Sequence, residues 1–459
     1  MKIGGPALGH AARWAFLLLP AIAAGLPAPR PAILLLHAFF LSFFWLVLLF
    51  FRPESYRTMR ELTFFALLFA LTLGLGAVIA RLAPEWPVLL PVPMAALLIT
   101  LLYNGRLAMT AAAVLSLVLA TASHTLALGA LTFGLAGGVP AALSLRRVRR
   151  RSDQYRAVLA VAGGNLIGAL VFGLAAKLPP PVTAQLAALG LGVAAALVAT
   201  SMLVLPGAEA LTRRTTDFTL LELADPTRPL LARLAREAPG TWAHSLVVAN
   251  LCEAACNAIG ANGLLARVGG FYHDVGKLAA PALFVENQNQ DINPLSALPP
   301  RDSARAVRDH VSAGLALAAK AGLPSVVRDF IPEHHGTMAL DYFVARLDPA
   351  EQADAAMQDD FRYPGPRPRS RETAVAMLAD AAEAAVHVLE ERSQERVREV
   401  VTHLIRQRLD AGQLSEAPLT VGDLERVTDA FVPLLAGIHH SRLDYPRSIG
   451  GITKDFGRE

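Results

Sequence analysis

The segment PAILLLHAFFLSFFWLVLLFF occupies residues 31–51 and contains no Asp, Glu, Lys or Arg. About 20 apolar residues in a helix are enough to cross the hydrocarbon core of a bilayer. The segment therefore predicts a membrane-spanning helix. Other segments of the N-terminal half are also candidate spans: 11–28, 63–81, 87–104, 107–123, 125–145, 157–176 and 183–206.

Charge divides the chain near residue 206. Residues 1–206 contain 15 Lys and Arg against 4 Asp and Glu, whereas residues 207–459 contain 27 against 34. This step predicts a membrane part followed by a water-soluble part. The acidic soluble part argues against nucleic acid as a partner, since the basic character belongs to the membrane half. Two cysteines in 459 residues exclude a disulfide-stapled secreted scaffold.

The basic residues also predict an orientation. If the N-terminus is cytoplasmic and all eight segments span, the cytoplasmic loops hold twelve Lys and Arg and the outer loops hold only Arg30, Arg81 and Lys177. That bias follows the positive-inside rule. We therefore expect a multi-pass protein of the plasma or inner membrane, in contact with lipid, whose residues from 207 onward are cytoplasmic. Seven spans stay an alternative, as does a cleaved signal peptide within residues 1–28.

The soluble half shows helical spacing of apolar residues and no convincing alternating strand. Residues 312–321 and 373–389 are examples, with apolar side chains recurring every three or four positions. The fold class predicted for the whole chain is all-α. The predicted domains are a transmembrane helix at 1–30, a seven-helix transmembrane domain at 31–206, a connector at 207–240, a helical domain at 241–390 and a C-terminal helical extension at 391–459.

Histidines and aspartates of the soluble half have the composition of a metal centre. Five of the twelve histidines lie between residues 244 and 335. Imidazole and carboxylate donors suit Fe, Mn or Zn, and a carboxylate can bridge two ions. Two ions can hold a hydroxide and clamp a phosphoryl oxygen, which suits phosphodiester hydrolysis. The predicted metal ligands are His244, His273, Asp274, His310, His334, His335 and Asp380.

Several short motifs surround these residues. They are GTWAHS at 240–245, YHDVGK at 272–277, ENQ at 286–288, EHHGT at 333–337, FRYPGP at 361–366 and MLAD at 377–380. Together with the multi-span segment, they resemble the seven-transmembrane-HD family of HD-superfamily phosphohydrolases. The resemblance covers roughly residues 31–445, and it makes residues 241–390 an HD phosphohydrolase domain.

The resemblance implies a phosphodiesterase that converts cyclic di-AMP to 5′-pApA through a hydroxide at a di-iron or di-manganese centre. It implies that one ion is held by His244, His273, Asp274 and Asp380. It implies that the other ion is held by His310, His334 and His335, with Asp274 as the bridge. Asp274 and Lys277 would be catalytic, with Lys277 on a substrate phosphate. Arg362 and Tyr363 are candidate nucleotide contacts, a guanidinium for phosphate and a ring for a base.

Two departures from the family pattern stand out. Only residues 26–30 separate the first two predicted spans, where the family carries a large extracytoplasmic domain, and Asn293-Pro294-Leu295-Ser296 replaces an Asn-Pro-His-Asp-like stretch. Two alternative functions are also open. One is an HD phosphohydrolase for cyclic di-GMP, (p)ppGpp or a dNTP, and the other is a membrane receptor that binds nucleotide without hydrolysis. The candidate partners are a cyclic dinucleotide, membrane lipid and a second copy of the chain in a homodimer.

Overall fold

The structure is a computed structural model of the 459-residue chain. It describes residues 20, 31–123, 126–145, 148, 150, 152–288, 294–349, 351–352 and 359–437. The chain divides into two compact units, residues 1–221 and residues 222–459. Apart from Pro20, the first predicted span at 11–28 lies outside the described residues.

The described part of the first unit is built from helices. They are α1 (Pro31–Phe51), α2 (Pro53–Arg57), α3 (Met59–Leu82), α4 (Val92–Leu102), α5 (Gly105–Ala122), α6 (Ala127–Ser144), α7 (Asp153–Ala175) and α8 (Pro180–Thr212), with α9 (Asp217–Leu223) at the unit boundary. Within the described ranges, 6 helices are long and apolar enough to cross a membrane, namely α1, α3, α5, α6, α7 and α8. This finding confirms the predicted multi-span helical membrane region.

Among the predicted spans, two differ from the observed helices in ways that involve proline. The span predicted at 87–104 is divided into a 3-10 turn, Pro87–Leu89, and the shorter helix α4. Pro91 and Pro93 explain the break, because proline lacks an N–H and clashes with the preceding turn of a helix. Helix α8 continues beyond the predicted end at residue 206 to Thr212, although Pro206 lies inside it.

Small residues allow the helices of the first unit to pack closely. A Cβ atom at Gly164 of α7 would collide with the carbonyl group of Ala136 in α6, and one at Gly190 of α8 would lie 2.9 Å from Cβ of Asn165. Asn165 is buried and donates a hydrogen bond from Nδ2 to the carbonyl of Gly190 at 2.9 Å. Close backbone approach and interhelical hydrogen bonds of this kind hold helices together in lipid, where apolar burial gives little advantage.

An ion pair connects two helix ends in the first unit. Nη2 of Arg214, just after α8, lies 3.0 Å from Oε1 of Glu61, whose side chain is 9% exposed. The guanidinium carbon of Arg214 also lies 4.4 Å from the ring centroid of Tyr103. Glu61 belongs to the first turn of α3. The pair therefore joins the start of α3 to the segment that leaves α8.

The second unit is also helical. Its helices are α10 (Pro229–Glu237), α11 (Pro239–Ala258), α12 (Gly263–Tyr272), α13 (Pro300–Lys320), α14 (Ser325–Arg328), α15 (Phe330–Glu333), α16 (Asp341–Val344), α17 (Arg371–His387), α18 (Gln394–Asp410) and α19 (Val421–Gly437). Its 3-10 turns are Val275–Ala279, Pro281–Leu283, Val285–Asn287, Pro294–Ala297 and Asp359–Phe361. Over the described ranges there is no strand, only an isolated antiparallel bridge between Ala339 and Arg362. The all-α prediction is confirmed, and the predicted domain boundaries stay predictions.

Helices α11, α17 and α19 share an apolar core that brings the site-bearing helices together. Its buried members include Val248, Leu251, Cys252, Val375, Leu378, Val427 and Phe431. Both cysteines of the chain are free and buried. Burial of large apolar side chains contributes roughly 1.5–3 kcal/mol each to such a core. The core consequently fixes α11, which carries His244, beside α17, which carries Asp380.

Candidate metal centre

The seven predicted ligand residues come together in the second unit. They form two adjoining groups, and in each group the ligand atoms lie within 4.8 Å of one another. The first group consists of His244, His273 and Asp380. The second group consists of Asp274, His310, His334 and His335. The predicted convergence of side chains that are distant in sequence is therefore present in the structure.

Asp274 lies between the two groups and presents a different oxygen to each. Its Oδ2 lies 3.3 Å from Nε2 of His273 and 3.8 Å from Nε2 of His244. Its Oδ1 lies 3.5 Å from Nε2 of His310 and 3.7 Å from Nε2 of His334. Because its side chain is only 1% exposed, this carboxylate has little access to water. The geometry is that of a carboxylate able to bridge two cations.

Helix ends and helix faces supply the donors. His273 follows the last residue of α12, Asp274 precedes the 3-10 turn Val275–Ala279, and His334 follows α15. Gly276 allows that turn to touch α13, because a Cβ atom there would collide with the carbonyl oxygen of His310. The small residue in the His-Asp-Val-Gly-Lys stretch is thus needed to bring Asp274 beside His310.

Three imidazoles are oriented by main-chain carbonyls. Nδ1 of His273 lies 2.8 Å from the carbonyl oxygen of Gly270, and Nδ1 of His334 lies 3.0 Å from that of Phe330. Nδ1 of His310 makes the same kind of contact with Val307. Since a carbonyl can only accept, Nδ1 donates in each ring, which leaves Nε2 as the nitrogen that faces the centre and can bind a metal when it is unprotonated.

The side-chain atoms that face the centre are left without hydrogen bonds. Nε2 of His273, His310 and His334 and Oδ1 of Asp274 are buried atoms that have no hydrogen-bond partner. Leaving buried acceptors unsatisfied costs roughly 1–3 kcal/mol each. Several such acceptors that face one another are best satisfied by cations. The unsatisfied buried atoms therefore indicate that these residues fit a divalent metal. This observation does not depend on the sequence motifs.

Burial keeps the histidines of the second group neutral. It lowers the pKa of His334 from 6.5 to about 3, with a further contribution from His273. It lowers the pKa of His335 well below 6.5 and also lowers that of His310. A neutral imidazole is the form that binds a metal, so these rings are in the required state at physiological pH.

The carboxylates give the first group a field that favours positive charge. Burial alone would lower the pKa of His244, but Asp380 and Glu383 outweigh it and raise that pKa to about 9. Asp274 and Asp380 likewise outweigh burial and raise the pKa of His273 to about 10. A cation placed between these side chains would be stabilised by the same field.

One side of the centre is accessible. The side chains of His244, Asp380 and His335 are 12%, 17% and 21% exposed, whereas those of His273 and His334 are 0% exposed. The partly exposed residues mark the side from which a substrate can approach.

Lys277 is held by two carboxylates at the edge of the centre. Its Nζ lies 2.8 Å from Oδ2 of Asp274 and 2.7 Å from Oε1 of Glu286. Burial opposes its charge, but these two carboxylates outweigh burial and raise the pKa of Lys277 above its usual value. The lysine is therefore charged and fixed in place. Its predicted contact with a substrate phosphate stays a prediction.

Arg362 and Tyr363 lie on the segment that covers His335. The ring of Tyr363 stacks on that of His335, with centroids 4.0 Å apart and planes at 20°. The amide of Tyr363 donates to the carbonyl of Met338, which holds the segment in place. Arg362 is exposed. The stacked face of Tyr363 is thus occupied by a predicted metal ligand, whereas the side chain of Arg362 lies at the solvent-exposed surface.

Glu383 is a site residue that sequence analysis missed. Its Oε2 lies 2.6 Å from Nδ1 of His244. A signal was present, because Glu383 is three residues after Asp380 in a helix and so lies on the same face. The structure thus adds a carboxylate behind a predicted ligand.

Two family models match the chain. The first, described as a 7TM receptor with intracellular HD hydrolase, matches residues 29–216, and the second, described as an HD domain, matches residues 241–385. The two matches lie in the order that the first description gives, a 7TM part followed by an HD hydrolase part. The predicted family resemblance is confirmed, and the first unit is a multi-pass membrane domain.

Curated relatives match half or more of the chain. The cyclic-di-AMP phosphodiesterase PgpH of Bacillus subtilis is 42% identical over 229 residues, which are 50% of this chain and 32% of the relative. The protein of the same name from Listeria monocytogenes is 34% identical over 362 residues, which are 78% of this chain and 50% of the relative. The chain therefore spans half or less of the length of these relatives.

Solved structures of the Listeria monocytogenes PgpH HD domain, alone and in complex with cyclic-di-AMP, are similar to part of this chain. Each is 38% identical, covers 47% of this chain and 100% of its own, and has a TM-score of 0.44.

Proposed function

We propose that this protein is a membrane-anchored, metal-dependent phosphodiesterase that hydrolyses cyclic di-AMP to 5′-pApA. The observation that supports the reaction class is Asp274, which presents one oxygen to each of two groups of histidines. The names of the Bacillus and Listeria relatives support the choice of nucleotide.

The donor set fits two divalent ions, with Mn or Fe favoured. Imidazole and carboxylate donors without thiolate are typical of these metals. One ion would be held by His244, His273, Asp380 and Oδ2 of Asp274. The other would be held by His310, His334, His335 and Oδ1 of Asp274. When bound, two such ions lower the pKa of water and neutralise charge on a phosphoryl group.

The chain's own residues would position the dinucleotide. Lys277, fixed by Asp274 and Glu286, would place a positive charge beside the reacting phosphate. Arg362 would bind the second phosphate from the exposed rim, where a guanidinium can form two parallel hydrogen bonds. Hydrolysis adds water across one P–O3′ bond, so that hydroxyl goes to phosphorus and the proton to the 3′ oxygen. The ring then opens to 5′-pApA.

The basic loops of the membrane unit support a location for this reaction. The charge bias between loops supports a cytoplasmic HD domain, anchored by the first unit in the plasma or inner membrane. A cytoplasmic location is consistent with a nucleotide substrate. Lipid surrounds the membrane helices, and the acidic soluble half does not favour nucleic acid as a partner.

The proposal is tested with the full chain in detergent micelles or nanodiscs. Purified protein is supplied with Mn²⁺ or Fe²⁺ and cyclic di-AMP, and products are identified by chromatography and mass spectrometry. We expect 5′-pApA, and we expect Asp274→Asn to lower kcat at least about 100-fold because both ions lose a shared donor. Asp309→Asn is the matched control, since Asp309 is an exposed carboxylate on the same helix as His310.

Parallel reactions with cyclic di-GMP, (p)ppGpp and dNTPs identify the substrate. Faster turnover of one of these would replace cyclic di-AMP in the proposal while retaining the metal chemistry. Tight binding of cyclic di-AMP without any product, in protein that contains no Mn or Fe after incubation, would contradict the enzyme and favour a receptor.

A further inference from the structure

His244 differs from the other histidines of the centre in the group that its Nδ1 atom contacts. His273, His310 and His334 each direct Nδ1 to a main-chain carbonyl three or four residues earlier. His244 instead has Nδ1 2.6 Å from the Oε2 atom of Glu383, which is 139 residues away in sequence. Of these four rings, His244 is the one whose Nδ1 atom has a charged carboxylate as its hydrogen-bond acceptor.

Helix α17 contacts both nitrogens of His244. Asp380 and Glu383 lie three residues apart on one face of that helix. Oδ1 of Asp380 lies 3.1 Å from Nε2, while Glu383 occupies the Nδ1 side. The two carboxylate side chains are 17% and 15% exposed. The imidazole is carried by α11, but its orientation is fixed by α17.

A carboxylate partner changes both the geometry and the donor strength of an imidazole. It accepts a hydrogen bond from Nδ1–H, which leaves Nε2 as the nitrogen available to a metal, and it makes the Nε2 lone pair more basic than a neutral carbonyl partner would. A third acid beside Asp274 and Asp380 is costly unless positive charge balances it. A divalent cation among His244, His273 and Asp380 would supply that balance.

We infer that Glu383 is a positioning residue that keeps Nε2 of His244 directed at His273 and Asp380 and thereby sets the affinity of the ion held by this group. The inference rests on the proposed function, because that function requires metal in both groups. Glu383 contacts neither the ion nor the substrate in this arrangement. It acts through the His244 ring.

The test compares metal binding by Glu383→Ala, Glu383→Gln and wild-type full-length protein in detergent. Each protein is stripped with a chelator and titrated with Mn²⁺ against a fluorescent metal indicator, and bound Mn is counted by mass spectrometry. We expect Glu383→Ala to weaken one of the two Mn²⁺ sites about 10- to 100-fold. Glu383→Gln should weaken it less, because the amide oxygen still accepts a hydrogen bond from Nδ1–H. Glu399→Ala, which removes an exposed carboxylate of α18, is the control.

The outcomes separate this inference from the proposed function. Two Mn²⁺ sites of unchanged affinity in Glu383→Ala would overturn the inference alone. Equal weakening of both sites together with a lower melting temperature in chelator would also overturn it, because that result indicates a structural role. A wild-type protein that binds no Mn²⁺ or Fe²⁺ would contradict the proposed function itself.

Discussion

Gly276 limits the geometry of the centre at the scale of a single residue. A Cβ atom there would collide with the carbonyl oxygen of His310 and lie 2.6 Å from the amide nitrogen of Gly314. Both contacts are with backbone atoms of α13, which cannot move aside as a flexible side chain can. The His-Asp-Val-Gly-Lys stretch therefore depends on this glycine to keep Asp274 near His310.

Gly276→Ala is expected to separate Asp274 from His310 and to destabilise the second unit. Overpacking of this kind costs about 1–3 kcal/mol, which corresponds to a fall of several degrees in melting temperature. Bound Mn should fall as well, because the shared donor is displaced. The measurements are differential scanning fluorimetry and metal analysis of the full chain. The control is Gly437→Ala, since a Cβ atom at Gly437 meets nothing within 4 Å, and equal effects of the two variants would contradict the argument.

The residue scale also shows what sequence can predict about the site. The convergence of the seven donors was predictable because few side-chain types bind these metals, and the motifs order them along the chain. Glu383 was missed because it lies outside these motifs, although it follows Asp380 by three residues on α17, and the packing of α11 on α17 brings it to His244. Lys277 was predicted beside a phosphate, and the structure shows the carboxylates that hold it.

At the scale of elements, the start of α19 depends on one buried acid. Asp423 accepts hydrogen bonds from the backbone N–H and hydroxyl of Thr420 at 2.9 and 2.8 Å. Its other oxygen lies 2.6 Å from Nη2 of Arg426 and 2.9 Å from Nη2 of Arg371 in α17. The hydrogen bonds from Thr420 and the two arginines hold the pKa of Asp423 below its usual value. The acid thus caps α19 and ties it to α17.

Removing this charge is expected to cost stability in a pH-dependent manner. Because the pKa is lower in the folded protein, the carboxylate stabilises it at any pH above the unfolded value of about 3.9 and loses that effect as the pH falls below it. Asp423→Asn should therefore lower the melting temperature by several degrees at pH 7, consistent with about 1–3 kcal/mol for charged hydrogen bonds. The difference from wild type should shrink below about pH 4.

The measurement is thermal melting of the full chain between pH 3 and pH 8. Asp429→Asn is the matched control on the same helix, where an exposed ion pair with Arg398 should change stability by less than about 1 kcal/mol. A difference between Asp423→Asn and wild type that grows as the pH falls would have the wrong sign for a lowered pKa.

The positions of the membrane helices were predictable from the lengths of the apolar segments. The residues at which these helices begin and end were less predictable. The predicted span at 31–51 coincides with α1, because nothing in that segment interrupts the helix. Proline coincides with a helix break at one place and not at another. Pro91 and Pro93 accompany a break before α4, whereas Pro206 lies inside α8. Neighbouring helices can satisfy the backbone groups that a proline frees in a membrane helix, and one sequence does not show where they will.

At the scale of the whole molecule, the proposed reaction depends on which side of the membrane each loop occupies. The loop before α3 carries Arg52, Arg57 and Arg60, whereas the turn after α3 carries Glu85 and follows Arg81. The positive-inside rule predicts that the first lies on the cytoplasmic side and the second outside. The same alternation predicts a cytoplasmic location for residues from 207 onward, where a cyclic dinucleotide would be available.

Introduced cysteines can test this topology, since both native cysteines are buried. Arg57→Cys, Glu85→Cys and Glu395→Cys replace exposed residues and are treated in intact cells with a membrane-impermeant maleimide. We expect Glu85→Cys to react at once, and Arg57→Cys and Glu395→Cys to react only after permeabilisation. Labelling of Glu395→Cys in intact cells would place α18 outside. A metal centre exposed there would have no access to a cytoplasmic nucleotide, even if its chemistry were as proposed.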